Sequence, residues 1–203
     1  MDDRVARFLS FLFHPLLIPT YLLVILLGID TTYSVLLPLK MKLLVVGTIL
    51  VTTFIFPLIV IFIMFRMKIV SSLYLPLREE RIFPLITVAI FYYLTFYLIR
   101  NVYLPQNFQL FILGATLLTV VTLAVTLFFR ISMHMIALGS ITGLFIGMAI
   151  TSDGYALFLV FGTILISGLT GSARLKLNAH QPVEIYSGWL MGAIVMCVTS
   201  FLL

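Results

Sequence analysis

Long apolar runs separated by short polar stretches dominate the pattern of this chain. A membrane-spanning helix needs about 20 predominantly apolar residues, and seven runs approach or exceed that length. They cover residues 8–27, 43–65, 83–99, 108–129, 134–150, 155–169 and 183–203. Pro15 and Pro19 interrupt the first run, and the sixth run is short. The pattern therefore predicts an all-α, polytopic membrane helix bundle with six to seven transmembrane helices.

The composition agrees with a membrane protein and disfavours other classes. Hydrophobic residues make up 63% of the chain and charged residues 9%, whereas an ordinary soluble domain is about 45–50% apolar. The basic residues stand singly at the ends of apolar runs, which suits anionic membrane lipids better than nucleic acid. The single cysteine, Cys197, lies in an apolar run and excludes an internal disulfide. We predict one transmembrane domain over residues 1–203.

Glycines recur at helical spacing in two of the runs. Gly139, Gly143 and Gly147 lie four residues apart in the fifth run, and Gly188 and Gly192 repeat this spacing in the seventh. Small residues on one face allow membrane helices to approach closely. The glycines therefore predict close helix packing.

Reactive side chains are concentrated in three short clusters. The third along the chain contains Arg174, His180 and Glu184 and has the most specific spacing. Charged groups near a bilayer are costly, so each is a functional-site hypothesis. Pro182 is suited to the first position of a helix, which would put Glu184 in the first turn and His180 just before it. The carboxylate could then reach one imidazole nitrogen and leave the other free to attack. The alternative is an interfacial cation, a helix-capping acid and a solvated histidine.

The second cluster contains Ser132 and His134 at the start of the fifth run. Backbone N–H groups at a helix start point towards a bound anion, and Ser132 could add a hydroxyl donor. His134 would then be placed to protonate a leaving oxygen. A simple helix N-cap is the alternative interpretation of the serine.

The first cluster is Arg78-Glu79-Glu80-Arg81. Two arginines three residues apart share a helical face and could grip a phosphate. Salt bridges with the neighbouring glutamates are the alternative.

His14 has no carboxylate or cation at useful spacing, so we interpret it as an interfacial residue. The scattered histidines and the single cysteine disfavour a metal site.

Seven spans would place the connections alternately on two sides of the membrane. The N-terminus and connections two–three, four–five and six–seven then share one side. Those three connections carry all three clusters, which predicts one shared site. Nine of the twelve Lys and Arg residues fall on that side: Arg4, Arg7, Arg66, Lys68, Arg78, Arg81, Arg130, Arg174 and Lys176. The positive-inside tendency would place it in the cytoplasm.

The second and third clusters resemble motifs of the type 2 phosphatidic acid phosphatase superfamily, which includes membrane lipid phosphatases. The third family motif is Ser-Arg-x5-His-x3-Asp. Arg174, His180 and Glu184 match it with intact spacing, although Glu replaces Asp and Ala173 replaces Ser. The second motif is Pro-Ser-Gly-His, here represented by the sequence Ile-Ser-Met-His over residues 131–134.

The first family motif, Lys-x6-Arg-Pro, is the most degraded. Position 74, seven before Arg81, holds Tyr instead of Lys, and Pro84 is displaced. Arg78 and Arg81 are the candidates to supply the two positive charges of this motif, although they stand three residues apart instead of seven.

The resemblance implies two-step hydrolysis of a lipid phosphate or diphosphate, without metal or cofactor. His180 would form a phosphohistidine while Glu184 orients it, and His134 would protonate the leaving group. The remaining residues would hold the phosphate oxygens: Arg174, Ser132, Arg81 and Arg78. Membrane lipids and a lipid phosphate are thus the expected partners, with no nucleic acid and no prediction of oligomeric state.

Two other functions remain open at this point. A lipid transporter or scramblase could bind headgroups without chemistry, although such a site has no need of a carboxylate four residues after His180. A lipid phosphotransferase could use the same histidine. We expect an integral protein of the bacterial inner membrane. The family mostly works on the outer face, in conflict with the charge count, so the facing of the site stays open.

Overall fold

The computed structural model describes residues 1–29, 37–73, 75, 77–104, 106–151 and 156–202. This part of the chain is helical and contains no strand. Its α-helices are α1 (Asp3–Leu12), α2 (Ile18–Ile29), α3 (Leu39–Leu50), α4 (Phe56–Arg66), α5 (Ile82–Ile99), α6 (Gln106–Thr126), α7 (Met133–Thr151), α8 (Leu157–Lys176) and α9 (Pro182–Leu202).

Seven helical stretches among the described residues are long and apolar enough to cross a membrane. Two of them contain a break: a 3-10 turn at Pro15–Leu17 joins α1 to α2, and a π-helical turn at Val51–Ile55 joins α3 to α4. Large apolar side chains face outwards, as Leu165 does with 70% exposure, which is expected for a lipid-facing surface. The predicted all-α membrane architecture is confirmed.

The sixth span differs from the sequence prediction. The apolar run suggested residues 155–169, but α8 continues to Lys176, and Tyr155 itself lies outside the described residues. Arg174 therefore lies in the last turn of a helix, whereas the sequence analysis predicted that it lies in a connection. Polar residues near its end lower the hydropathy of the run without ending the helix.

The described residues form two compact units. The first unit contains Met1–Ile18 and Ile131–Leu203, and the second contains Pro19–Arg130. The prediction of one domain stays a prediction.

In the first unit, glycines bring α7 and α9 into backbone contact. A Cβ atom at Gly139 or Gly143 would overlap with the carbonyl groups of Trp189 or Ala193, and one at Gly192 would overlap with the carbonyl of Ile136. Only a residue without a side chain permits this approach. The predicted role of the glycines in helix packing is confirmed.

The turn from α8 to α9 follows a specific helix-ending motif. Asn178 has a φ of 50°, in the left-handed region. Its N–H donates to the carbonyl of Leu175 at 3.0 Å, and the N–H of Ala179 donates to the carbonyl of Arg174 at 3.1 Å. This pair of bonds is the Schellman motif, in which Asn is the usual substitute for Gly. It reverses the chain between Arg174 and His180.

In the second unit, the π-helical turn brings buried hydroxyl groups into the packing of α5. Pro57 lies in the first turn of α4, and a proline removes a helical N–H and clashes with the carbonyl four residues earlier. The wider turn accommodates it. Thr52 and Thr95 are both buried, and their hydroxyl oxygens lie 2.9 Å apart. This contact joins the second and third spans.

Candidate active site

His180 and Glu184 form a short contact in the first unit. His180 Nδ1 lies 2.6 Å from Glu184 Oε2, and the side chains are only 5% and 11% exposed. Pro182 begins α9 and Glu184 lies in its first turn, so the predicted helix start and the predicted reach of the carboxylate are confirmed. Because a carboxylate only accepts hydrogen bonds, Nδ1 carries the hydrogen. Nε2 of a neutral His180 ring is then the nitrogen with a lone pair.

The start of α7 is joined to the same turn of α9. The backbone N–H of Ser132 donates to the carbonyl of Glu184 at 3.2 Å. A Cβ at Gly188 would lie 3.0 Å from the carbonyl oxygen of Ser132. The absence of a side chain at Gly188 therefore permits the close approach of α9 to Ser132. The second and third clusters therefore meet at one place, as the sequence predicts for these two.

Ser132 is fully buried. Its Oγ has no hydrogen-bond partner in the part of the chain that the structure describes. The serine therefore does not act as a side-chain N-cap of α7, which was the alternative interpretation of this residue. An unpaired buried hydroxyl is costly, so a ligand that could accept its hydrogen bond would relieve that cost.

His134 lies in the first turn of α7. Its Nε2 is 3.0 Å from the carbonyl oxygen of Ser10 in α1. The His134 ring also packs edge-on against the ring of His14, with centroids 5.8 Å apart and an interplanar angle of 77°. His134 is thus held from α1 and the following 3-10 turn, which the sequence analysis did not assign to the site.

Arg174 supplies positive charge to this group of residues. It lies in the last turn of α8 and is half-buried. Its charge acts on both His14 and His134. His180 also acts electrostatically on His134. His134 is therefore close enough to Arg174, His14 and His180 to interact with each of them.

The sequence analysis interpreted His14 as an interfacial residue, because no carboxylate or cation lies at useful spacing from it. The structure adds a contact that this interpretation did not include, since His14 packs against His134. Sequence spacing could not reveal the contact, since 120 positions separate the two residues. The one local signal was His14-Pro15 inside an apolar run, which marks a break in the first span.

Arg78 and Arg81 belong to the second unit and have different surroundings. Arg78 is exposed, and its Nε lies 2.8 Å from Glu79 Oε1. Arg81 is 5% exposed, and its Nε donates to the carbonyl of Leu75 at 3.0 Å. For Arg78 the contact with Glu79 favours the salt-bridge alternative.

The arrangement in the first unit suits acid–base and nucleophilic chemistry on an anion. Two helices, α7 and α9, begin here, and the first N–H groups of a helix lack intrahelical partners and favour negative charge. Arg174 adds a full positive charge. No group of three or more His, Cys, Asp and Glu side chains that could hold a metal ion occurs among the described residues.

Comparisons with protein-family models, with curated proteins and with solved structures find no match for this chain.

Proposed function

We propose that the protein is an integral membrane lipid phosphatase that works through a phosphohistidine, as the resemblance to the type 2 phosphatidic acid phosphatases implies. One observation carries the proposal: His180 Nδ1 lies 2.6 Å from Glu184 Oε2. This contact resembles the histidine and orienting carboxylate of a catalytic triad, because it fixes the tautomer of a ring whose second nitrogen can attack.

In the first step, His180 Nε2 attacks phosphorus and the bond to the leaving oxygen breaks. Glu184 stabilises the positive charge that develops on the imidazole. His134 donates a proton to the leaving oxygen, which departs as an alcohol or, from a diphosphate, as a lipid monophosphate. The product bound to the enzyme is the phosphohistidine.

In the second step, water attacks the phosphohistidine. The bond from phosphorus to His180 Nε2 breaks and inorganic phosphate leaves. His134, now neutral, takes the proton from the attacking water and returns to its starting state. Both steps balance without an oxidant, a reductant or another reactant.

Charge on the transferred phosphoryl group is the main target for catalysis in such reactions. In the first unit, Arg174 is the candidate cation and Ser132 the candidate hydroxyl donor. The buried, unpaired Oγ of Ser132 supports its role, because a phosphate oxygen would accept its hydrogen bond. Backbone N–H groups at the start of α7 would add to the same site.

The substrate class follows from the position of these residues in the helices. His134, Arg174 and Glu184 lie in terminal turns of helices long and apolar enough to span a membrane. A phosphate attached to a lipid would reach this level while its tail stays among apolar helix surfaces. We therefore propose a lipid phosphate or lipid diphosphate as substrate.

The test is release of inorganic phosphate by the purified full chain in detergent with a chelator present. Phosphatidic acid, phosphatidylglycerol phosphate and a polyprenyl diphosphate are the probes, and His180→Gln is the matched control. Release from one probe, absent in the variant, is the expected result. Activity that chelation abolishes would contradict the metal-free mechanism.

Two further results distinguish the alternatives. Binding of lipid phosphates without release from any probe would favour a headgroup-binding transporter or scramblase. Phosphate transfer only when a lipid acceptor is added would favour a phosphotransferase. The Glu184 carboxylate supports chemistry over passive binding, since a negative charge weakens the binding of an anionic headgroup.

A further inference from the structure

The carbonyl group of Ser10 is made available to His134 by the way α1 ends. In a regular helix this carbonyl would accept the N–H of His14, four residues later. Instead, the N–H of His14 donates to the carbonyl of Phe11, three residues back, at 3.2 Å. Pro15 has no N–H and cannot continue the helix. The carbonyl of Ser10 accepts from His134 Nε2 at 3.0 Å.

His14 is itself fixed by the same turn. Its Nδ1 accepts the backbone N–H of Leu16 at 3.3 Å and so caps the 3-10 turn Pro15–Leu17. The ring is thereby held with its plane at 77° to the ring of His134. The 3-10 turn and α7 belong to the same compact unit. Two independent contacts, a carbonyl and a ring, therefore restrict the orientation of His134.

We propose that Ser10 and His14 are positioning residues for His134, and that His134 exchanges its proton with the substrate through Nδ1. This inference rests on the proposed function. A carbonyl oxygen has no hydrogen to donate, so His134 Nε2 must carry one in both charge states. The hydrogen that the ring gains and loses is then the one on Nδ1.

The proton balance of the two steps becomes specific. The imidazolium of His134 gives the Nδ1 hydrogen to the leaving oxygen and keeps the Nε2 hydrogen on Ser10. The neutral ring then has its lone pair on Nδ1, facing the proton of the attacking water. Neither step requires the ring to turn over or to change tautomer. The break in the first span thus serves the acid–base step.

The direct test is ¹⁵N NMR of the full chain labelled with ¹⁵N-histidine, because ring nitrogens with and without a hydrogen have different chemical shifts. The chain contains only three histidines, so His134→Gln identifies the signals of that ring. The proposal concerns the neutral form of the ring, which is observed by recording spectra over a range of pH: its expected signature is a hydrogen on Nε2 and a bare Nδ1, whereas the imidazolium carries a hydrogen on both nitrogens. A hydrogen on Nδ1 and a bare Nε2 would overturn the proposal. Ser10→Ala keeps the backbone carbonyl and should preserve this signature.

The second test separates ring packing from capping by comparing His14→Ala with His14→Asn. Asparagine is a good cap and restores an acceptor for the N–H of Leu16, but it lacks the imidazole. If the ring positions His134, both variants should lose about tenfold or more in kcat on alkyl phosphates. On aryl phosphates, which need little protonation, the loss should be small and KM should change little.

Equal kcat losses on alkyl and aryl phosphates, or none on either, would overturn the role of His14. The NMR result does not depend on turnover. Failure to release phosphate from any lipid would therefore reject the proposed function. The NMR spectra would still show which ring nitrogen of His134 carries the hydrogen.

Discussion

The backbone N–H of Ser132 donates to the carbonyl of Glu184 at 3.2 Å. This bond joins the residue before α7 to the first turn of α9, so the second and third sequence clusters share one backbone connection. The bond uses main-chain atoms only. The hydroxyl of Ser132 is consequently not used by this bond and can contact a ligand. The carboxylate of Glu184 is likewise not used by it and contacts His180.

Replacing Glu184 by Gln tests the proposed orientation of the nucleophile. The amide oxygen could still accept from His180 Nδ1, but the negative charge is lost. Hydrogen bonds to charged groups contribute about 1.5–3 kcal/mol, so we expect kcat to fall about tenfold to hundredfold with little change in KM. Steady-state kinetics measure this. Wild-type kcat in Glu184→Gln would reject the role of the carboxylate.

His180 and His134 should differ in their response to the leaving group. His180→Ala should abolish turnover on every substrate, because the proposed covalent intermediate needs its Nε2. His134→Ala should recover partly on aryl phosphates, which depart without protonation. Turnover on alkyl and aryl phosphates, measured side by side, checks this. Equal losses in both variants would contradict the division of roles.

Ser132→Ala should separate activity from stability. The substitution removes a buried hydroxyl that has no partner within the described part of the chain. The free energy of unfolding should therefore stay unchanged or rise slightly. If the hydroxyl donates to the phosphate, kcat/KM should fall about tenfold. A clear loss of thermal stability with normal kinetics would indicate a structural serine.

The sequence predicted the spans well because each rests on a long apolar run, and it predicted the His180–Glu184 contact because both residues flank one helix start. Arg174 was misplaced, since the polar end of α8 hides its true length. The contacts of His134 with Ser10 and His14 could not be predicted. They join the first span to the start of the fifth, and no spacing rule connects residues so far apart in sequence.

Gly143→Ala tests the close packing of α7 and α9. The added methyl group would overlap with the backbone carbonyl of Ala193, and overpacking typically costs about 1–3 kcal/mol. We expect a lower melting temperature in detergent. Gly162→Ala in α8 is the matched control, because no described atom lies within 4 Å of its new Cβ. That variant should gain stability from helix propensity, by up to about 1 kcal/mol. Equal effects of the two substitutions would contradict the packing role.

Arg78 and Arg81 should respond differently to alanine substitution in stability. Arg78 pairs with Glu79 at the surface, and exposed pairs are typically worth under about 1 kcal/mol. Arg81 is buried and bonds the carbonyl of Leu75, a residue with a φ of 49°. Losing this charged donor should cost about 1–3 kcal/mol. Melting temperatures of the two variants check the difference.

The same two variants test the phosphate-binding role that the resemblance implies for these arginines. Loss of a charge contact made in the transition state would lower kcat on the order of a hundredfold. Because Arg78 is engaged by Glu79, we expect Arg78→Ala to keep near-normal turnover, whereas the resemblance to the phosphatase family implies that Arg81→Ala loses it. Arg81→Lys should recover only part, since an ammonium lacks the forked donors of a guanidinium. Normal kcat in both alanine variants would leave Arg174 as the one cation assigned to the phosphate.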